Sequence, residues 1–144
     1  MSAPLPSVPS SWKAVGTTSN TRYFITDADL LIVCPHPGTK DDGATARENA
    51  EFQMAYAVKL GRPIATIVLL GNLTSQDADA RRAYAELMDP ARCFGAALVV
   101  ENALSRAIAA FFMGLTRPRI PTQTAPNVDT AMKALSALRP GAKP

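Results

Sequence analysis

The sequence PIATIVLLGNLTSQDADARRAYAELM, residues 63–88, decides the fold. Its first part, Ile64–Leu70, is almost continuously apolar and rich in β-branched residues, which predicts a central strand buried on both faces. A turn is indicated at Gly71–Asn72, and a helix is expected to begin at Thr74–Ser75 and to extend to about Met88. Because this junction exposes backbone N–H groups at one edge of the sheet, a binding or regulatory site is expected there first.

Two strands and a helix are predicted before the central strand. Arg22–Thr26 and Leu30–Cys34 are strand-like runs, and the short polar spacer between them indicates an antiparallel hairpin, with Trp12–Val15 as a short strand in front. A helix is predicted over Asp42–Leu60, where Gly61 fits a C-terminal cap. The apolar stripe of this helix is predicted to consist of Ala46, Ala50, Met54, Ala57 and Val58.

Strands and helices continue to alternate after residue 88. The sequence predicts a strand at Phe94–Val100, a helix at Leu104–Leu115, an edge segment at Ile120–Thr124 and a last helix that starts near Asn127. The alternation predicts an α/β fold, with a mixed β-sheet that begins with the antiparallel hairpin and becomes parallel in its later part.

Length and composition indicate one globular domain. The chain has 144 residues, of which 47% are hydrophobic and 19% are charged. Proline and serine in residues 1–11 predict a disordered N-terminal segment, residues 12–138 form the predicted domain, and residues 139–144 are expected to be a basic flexible tail. The net charge of +3 comes mainly from basic residues from Arg117 onward, which are too widely spaced to indicate nucleic-acid binding.

The sequence shows no signal peptide and no membrane-spanning segment, which bears on the cellular compartment. The N-terminus has neither a basic region nor an apolar core typical of a signal peptide, and no apolar stretch reaches the roughly 18–20 residues of a membrane span. We therefore expect a cytoplasmic protein.

The sequence contains no clear catalytic or cofactor-binding pattern. Cys34 and His36 are two residues apart and offer at most two metal ligands, whereas zinc needs three or four. Asp41 and Asp42 form a carboxylate pair that is explained more simply by its position at a helix N-terminus. Neither a phosphate-binding loop nor a dinucleotide fingerprint is present. We expect no catalytic residue, no metal and no cofactor, and we expect buried thiols at Cys34 and Cys93.

A hairpin followed by alternating helices and strands resembles the STAS fold of anti-sigma-factor antagonists and of small STAS-like or SEC14-like bacterial proteins. The resemblance covers roughly residues 20–138 and depends on Leu30–Cys34, on Pro63–Leu70 with the segment after it, and on Gly95–Val100 leading to Leu104–Leu115. It implies a signalling module with a kinase or an anti-sigma factor as partner.

Regulatory STAS domains carry a phosphorylatable serine or threonine after the central strand, in an Asp-Ser-Ser/Thr-Gly context. The corresponding residues here look like Leu73-Thr74-Ser75-Gln76, without the preceding aspartate and the following glycine. The resemblance makes Thr74 and Ser75 candidate phosphoacceptor or partner-binding residues. Helix capping is the simpler alternative, with Thr74 as N-cap and Asp77 three residues later.

The helix predicted at Leu104–Leu115 has large apolar side chains on more than one side. Phe111, Phe112 and Met113 are therefore either core residues, a partner or homodimer surface, or the lining of an apolar-ligand pocket. Nearby arginines leave contact with a membrane surface open as well.

Together these patterns favour a non-enzymatic regulatory or protein-interaction module that presents Gly71–Asp77 to a protein partner. The alternative is a carrier of a small, lipid-like apolar ligand, or a membrane-surface protein, that uses the Leu104–Leu115 helix. An enzyme that uses Cys34 or His36 is the third interpretation.

Overall fold

The sheet and helices follow the order predicted from the sequence, with additional short strands. A computed structural model describes residues 5–141, and residues 1–4 and 142–144 of the predicted terminal segments lie outside this range. In order, the chain forms β1 (Lys13–Thr17), β2 (Thr21–Ile25), β3 (Leu30–Pro35), β4 (Thr39–Asp41), α1 (Gly43–Leu60), β5 (Ile64–Leu69), a 3₁₀ turn (Leu70–Asn72), β6 (Leu73–Gln76), α2 (Ala78–Leu87), β7 (Cys93–Val99), α3 (Ala103–Phe111), a π-helical turn (Phe112–Thr116), β8 (Thr122–Ala125) and α4 (Val128–Ser136).

The main sheet has the strand order β1-β2-β3-β5-β7-β8. The strands β1, β2 and β3 pair antiparallel, and β3, β5, β7 and β8 pair parallel. The predicted hairpin, the central position of β5 and the edge position of β8 are confirmed. The fold is therefore a mixed α/β fold.

Alternate residues of β5 face two separate layers. Ala65 and Ile67 point to the side covered by α4, where they contact Ala131 and Leu135. Thr66 and Val68 point to the opposite side and line a cavity against the other helices. Because both layers are covered, β5 needs apolar residues on both faces, which explains its nearly continuous hydrophobic run.

A second, two-stranded parallel sheet lies beyond the C-terminal ends of the central strands. It pairs β4 with β6 and was absent from the sequence prediction. The predicted start of α2 at Thr74–Ser75 is wrong, because these residues remain extended in β6. Asp77 is the actual N-cap, and its side chain accepts a 2.8 Å hydrogen bond from the backbone N–H of Ala80. Asp77 caps as well as threonine does, so pairing with β4 decides where the helix begins.

The helix α1 has the predicted ends but a different buried face. Asp42 caps it reciprocally with Thr45, and Gly61 ends it in the left-handed region with φ of 80°. Val58, predicted to lie in the apolar stripe, is instead 57% exposed. Two polar residues, Asn49 and Gln53, are buried on the face that packs against the sheet.

The helix α3 is shorter than predicted and continues as a π-helical turn. The wider turn ends at Arg117, which has φ of 50°, an uncommon conformation for a residue other than glycine. The backbone thus departs from regular α-helical geometry within the predicted helix Leu104–Leu115, at Phe112 and Met113.

Both described ends of the chain contact the folded domain. Val8 packs against the α4 side of the core, and the carbonyl of Pro6 accepts a hydrogen bond from Arg22. Arg139 donates two hydrogen bonds, of 2.7 and 2.8 Å, to the carboxylate of Asp29. Within residues 5–141, no helix has the length and hydropathy that crossing a membrane requires.

Candidate functional site

A cavity of about 80 Å³ lies between the main sheet and the helices α1, α2 and α3. Its volume is several times the roughly 10–15 Å³ that one water molecule needs, and about half that of a roughly 150 Å³ cavity that holds benzene. Polar side chains form part of its lining, at Asn20, Thr21, Thr39, Asp41, Asn49, Gln53, Thr66, Gln76, Tyr84, Arg119 and Thr122. Apolar side chains form the rest, including Val33, Val68, Leu70, Leu73, Met88, Leu98, Ile108, Phe112 and Ile120.

The carboxyl group of Asp41 is the centre of one polar cluster in this lining. Asp41 is 5% exposed and ends β4. The hydroxyl of Thr45 donates to its Oδ1 at 2.7 Å, and that of Tyr84 donates to its Oδ2 at 2.8 Å. The amide of Gln76 lies 3.5 Å from the same Oδ2. Both strands of the second sheet and the helices α1 and α2 therefore converge on one carboxyl group.

The electrostatic surroundings of Asp41 disfavour its charge. Burial raises the pKa of the carboxyl group, and the hydrogen bonds from Thr45, Tyr84 and Gln76 offset only part of this effect. Burial and the nearby carboxyl group also raise the pKa of Tyr84 well above its usual value. Across residues 5–141, no basic side chain lies within ion-pairing distance of Asp41.

A second polar cluster surrounds Asn49 on α1. Its Oδ1 accepts hydrogen bonds from the hydroxyls of Tyr23 at 2.6 Å and Thr18 at 2.7 Å. Its Nδ2 donates to the side chain of Asn20 at 2.9 Å and to the carbonyl of Thr45 at 3.0 Å. Asn49 therefore uses both of its polar atoms to fix α1 against β2 and the turn before it.

The aromatic residues of the predicted ligand pocket have three different locations. Phe112 lines the cavity, and its ring meets that of Tyr84 edge to face with centroids 6.4 Å apart. Phe111 is 56% exposed on the outer side of α3. Met113 lines a separate shallow depression beside Arg117–Thr122. Of the three candidates Phe111, Phe112 and Met113, only Phe112 lines the cavity among the described residues.

The outer side of α3 is a largely apolar surface, which we call the α3 face. It comprises the exposed residues Leu104, Phe111 and Leu115, which are 48%, 56% and 67% exposed. Between residues 103 and 115, Arg106 is the one charged side chain. The opposite, inner side of α3 contacts the 3₁₀ turn and β6, which belong to the Gly71–Asp77 segment.

Thr74 and Ser75 lie in β6, the strand that pairs with β4. The hydroxyl of Thr74 donates to the carbonyls of Gly38 and Thr39 at 3.3 and 3.2 Å, so it supports the second sheet. Ser75 is exposed and is the register partner of Lys40 on β4. The predicted capping role of Thr74 is wrong, whereas the hydroxyl of Ser75 is accessible.

The two cysteines are buried in different core clusters, and His36 is partly buried just after β3. Cys34 is buried on the α4 side of the sheet, and burial raises the pKa of its thiol. Burial also raises the pKa of Cys93 to about 11, which favours an unreactive thiol. In the part of the chain that the structure describes, no three metal-ligating side chains cluster.

The sequence prediction missed the polar lining of the cavity, although one signal for it exists. Asn49 and Gln53 are one helical turn apart and lie on the same face as Ala46, Ala50 and Ala57, so they interrupt an otherwise apolar stripe. Polar groups at such positions require buried hydrogen-bond partners. Asp41 carries no comparable signal, because a carboxylate before a helix is usually exposed.

The substitution Asp41→Asn is expected to make the free energy of unfolding less dependent on pH. Because the folded pKa of Asp41 is raised, wild-type stability decreases as pH rises from the unfolded pKa of about 3.9 through the folded pKa. Asparagine does not titrate, so the variant lacks this pH-dependent decrease in stability. Its side-chain oxygen can still accept the hydrogen bond from Thr45. Urea unfolding should show that the stability of the variant relative to wild type increases between pH values of about 4 and 7.

The neighbouring Asp42 provides a control of opposite sign. The backbone N–H of Thr45 donates to this exposed carboxylate and keeps its pKa below the usual value. Asp42→Asn should therefore lose relative stability over the same increase in pH. Equal pH dependence for both variants would contradict the burial of the Asp41 carboxyl group.

The chain was compared with protein families, curated proteins and solved structures. The family described as Domain of unknown function (DUF7793) matches residues 23–139. No curated protein and no solved structure matches the chain.

Proposed function

The chain belongs to the DUF7793 family, and from its geometry we propose that it is a non-enzymatic regulatory module that binds a protein partner. The observation that carries this proposal is the uncovered α3 face. Its three large apolar side chains, Leu104, Phe111 and Leu115, recur at helical spacing and are all more than two-fifths exposed. Several large apolar side chains exposed on one side of a helix favour an interaction site.

The Gly71–Asp77 segment is proposed to form a polar rim of the same interface. It belongs to the elements that α3 packs on, and its Ser75 is exposed. A phosphate on Ser75 would lie near Lys40, its register partner, and would add negative charge at the rim. The resemblance to anti-sigma-factor antagonists favours a kinase or an anti-sigma factor as the partner.

The double substitution Phe111→Glu and Leu115→Glu is expected to abolish partner binding without unfolding the protein. Both side chains are exposed, so charge at these positions costs little folding free energy but leaves a carboxylate buried when the partner docks. Tagged wild type and variant should be compared by quantitative mass spectrometry of proteins retained from cells of the source organism. At least a roughly tenfold loss of a retained partner corresponds to about 1.4 kcal/mol.

The matched control is Val58→Glu, since Val58 is 57% exposed on α1 and belongs to a different surface. This control should retain the same partner as wild type. Retention that is unchanged in the double variant, or lost equally in the control, would contradict the proposal.

Two other occupants of the α3 face can be distinguished by the same variants. A dimer that becomes monomeric with Phe111→Glu and Leu115→Glu would assign the surface to a second copy of the chain. Loss of binding to anionic vesicles, with no protein partner retained by wild type, would assign it to a membrane surface. Either result would replace the proposed partner.

The cavity supports a second candidate function, the binding of a small ligand. Its lining combines apolar walls with convergent polar groups at Asp41, Gln53 and Tyr84, as ligand sites do. Its volume of about 80 Å³ favours a short molecule over a lipid-like one. Ile108 of α3 and Phe112 of the following π-helical turn line it, so a ligand there would contact the proposed docking helix from its inner side.

A further inference from the structure

We propose that the cavity binds a small primary amine, whose ammonium group is held by Asp41 and Gln76. This inference depends on the ligand-binding role proposed above and names the chemical class of the ligand. It starts from two acceptors of the lining, Asp41 and Gln76, that have unused hydrogen-bonding capacity.

The acceptors at the polar end of the cavity are incompletely used. A carboxylate offers about four lone pairs, and the two oxygens of Asp41 accept from Thr45, from Tyr84 and, at 3.5 Å, from Gln76. The Oε1 atom of Gln76 is buried and has no hydrogen-bond donor among the described residues. A ligand that brings several N–H donors would satisfy both groups, and an ammonium group carries three.

Charge points to the same class of ligand. The carboxyl group of Asp41 is 5% exposed and has no basic partner in residues 5–141, so a negative charge there is uncompensated. A bound cation would supply the missing opposite charge. The rings of Tyr84 and Phe112 stand beside this end of the cavity, and aromatic rings attract an ammonium group.

The remaining lining disfavours an anionic ligand and limits the size of the ligand. Arg119, the other charged side chain of the lining, already donates to the carbonyls of Ala85 and Glu86 at 3.2 and 2.9 Å. A volume of about 80 Å³, together with walls at Val68 and Leu98, suits a short alkyl chain. The lining is thus matched to a short alkylamine in its protonated form.

The test is a titration of the isotope-labelled protein with n-propylamine near neutral pH, followed by two-dimensional NMR. Propan-1-ol and propionate serve as neutral and anionic ligands of similar size. Saturable shifts are expected for residues around Asp41, Gln76 and Tyr84 with the amine, and binding of the alcohol and of the acid should be at least about tenfold weaker.

Two variants probe the contacts directly. Asp41→Asn keeps an acceptor for Thr45 but removes the charge, so amine affinity should decrease at least about tenfold while the spectrum remains that of a folded protein. Gln76→Met removes the unpartnered Oε1 atom and should weaken binding several-fold. Asp79→Asn removes an exposed carboxylate on α2 and should leave binding unchanged.

The outcomes separate the ligand class from the ligand-binding role. Equal or tighter binding of propan-1-ol, or full amine affinity in Asp41→Asn, would overturn the amine proposal but retain a small-ligand cavity. Absence of saturable shifts at the cavity with all three compounds would overturn both. Chemical-shift changes confined to exposed acidic residues would likewise contradict binding in the cavity.

Discussion

Substitution of Ile67 by alanine is expected to lower the free energy of unfolding by about 2–5 kcal/mol. Ile67 has no exposed surface and lies on β5, where it packs in the layer between the sheet and α4. Truncation would leave a cavity that the neighbouring strands β3 and β7 cannot close, because both are fixed by pairing with β5. A domain of this size is typically stable by only about 5–15 kcal/mol, so urea denaturation would detect the loss readily.

Val58→Ala is the matched control for this substitution. Val58 was predicted to be buried in the stripe of α1 but is 57% exposed, so its truncation should change stability by less than about 0.5 kcal/mol. Equal losses for Ile67→Ala and Val58→Ala would contradict the arrangement of β5 at the centre and of Val58 at the surface.

Asn49→Ala should lower the free energy of unfolding by about 2–4 kcal/mol, although alanine is the better helix former. The substitution leaves the hydroxyls of Tyr23 and Thr18 without the acceptor that they share, and Tyr23 is fully buried. An unsatisfied buried polar group costs about 1–3 kcal/mol, which exceeds the gain in helix propensity. Urea denaturation, monitored by circular dichroism, measures the difference.

Two further variants test the mechanism of that loss. Glu51→Ala changes an exposed residue of the same helix and should remain within about 0.5 kcal/mol of wild type. Adding Tyr23→Phe to Asn49→Ala removes the orphaned hydroxyl, so the two changes together should cost less than the sum of the separate ones. Strict additivity would show that Tyr23 and Asn49 do not depend on each other.

The architecture of the main sheet was predictable because each strand carries its own local signal. Apolar runs in β3, β5 and β7 predicted buried strands, and the polar spacer at Asp27–Asp29 predicted the antiparallel hairpin. Pro121, directly before β8, predicted an edge strand. In these elements, the structure that the local sequence pattern favours is the same one that packing in the folded protein favours.

The second sheet was not predictable from local patterns. The strands β4 and β6 are three and four residues long, and neither alternates clearly between apolar and polar residues. Their pairing joins segments about 35 positions apart in sequence, Thr39–Asp41 and Leu73–Gln76. This non-local pairing keeps Thr74 and Ser75 extended and transfers the capping role to Asp77, where local rules alone indicated an earlier start.

The candidate site was predicted in part. The sequence indicated surplus apolar residues on the Leu104–Leu115 helix, and the exposed Phe111 and Leu115 agree with that expectation. Phe112 lies one helical turn after the buried Ile108 and lines the cavity with it, whereas Phe111 faces outward. Asp41 and Tyr84 come together only through packing of α2 against the second sheet, so no sequence period relates them.

The phosphorylation role implied by the STAS resemblance remains a proposal. The accessible hydroxyl of Ser75 next to Lys40 supports it, whereas Asp77 and Asp79 nearby would repel a phosphate. The α3 face does not depend on this modification, since its apolar side chains are exposed without it.

Site-specific photo-crosslinking in cells of the source organism tests the proposed partner surface most directly. A photoreactive aromatic residue would replace Leu115 on the α3 face and, in a separate variant, Val58 on α1; both positions are exposed. The proposal predicts a discrete crosslinked protein with the residue at position 115 and none at position 58. No crosslinked protein at position 115, or the same products from both positions, would contradict it.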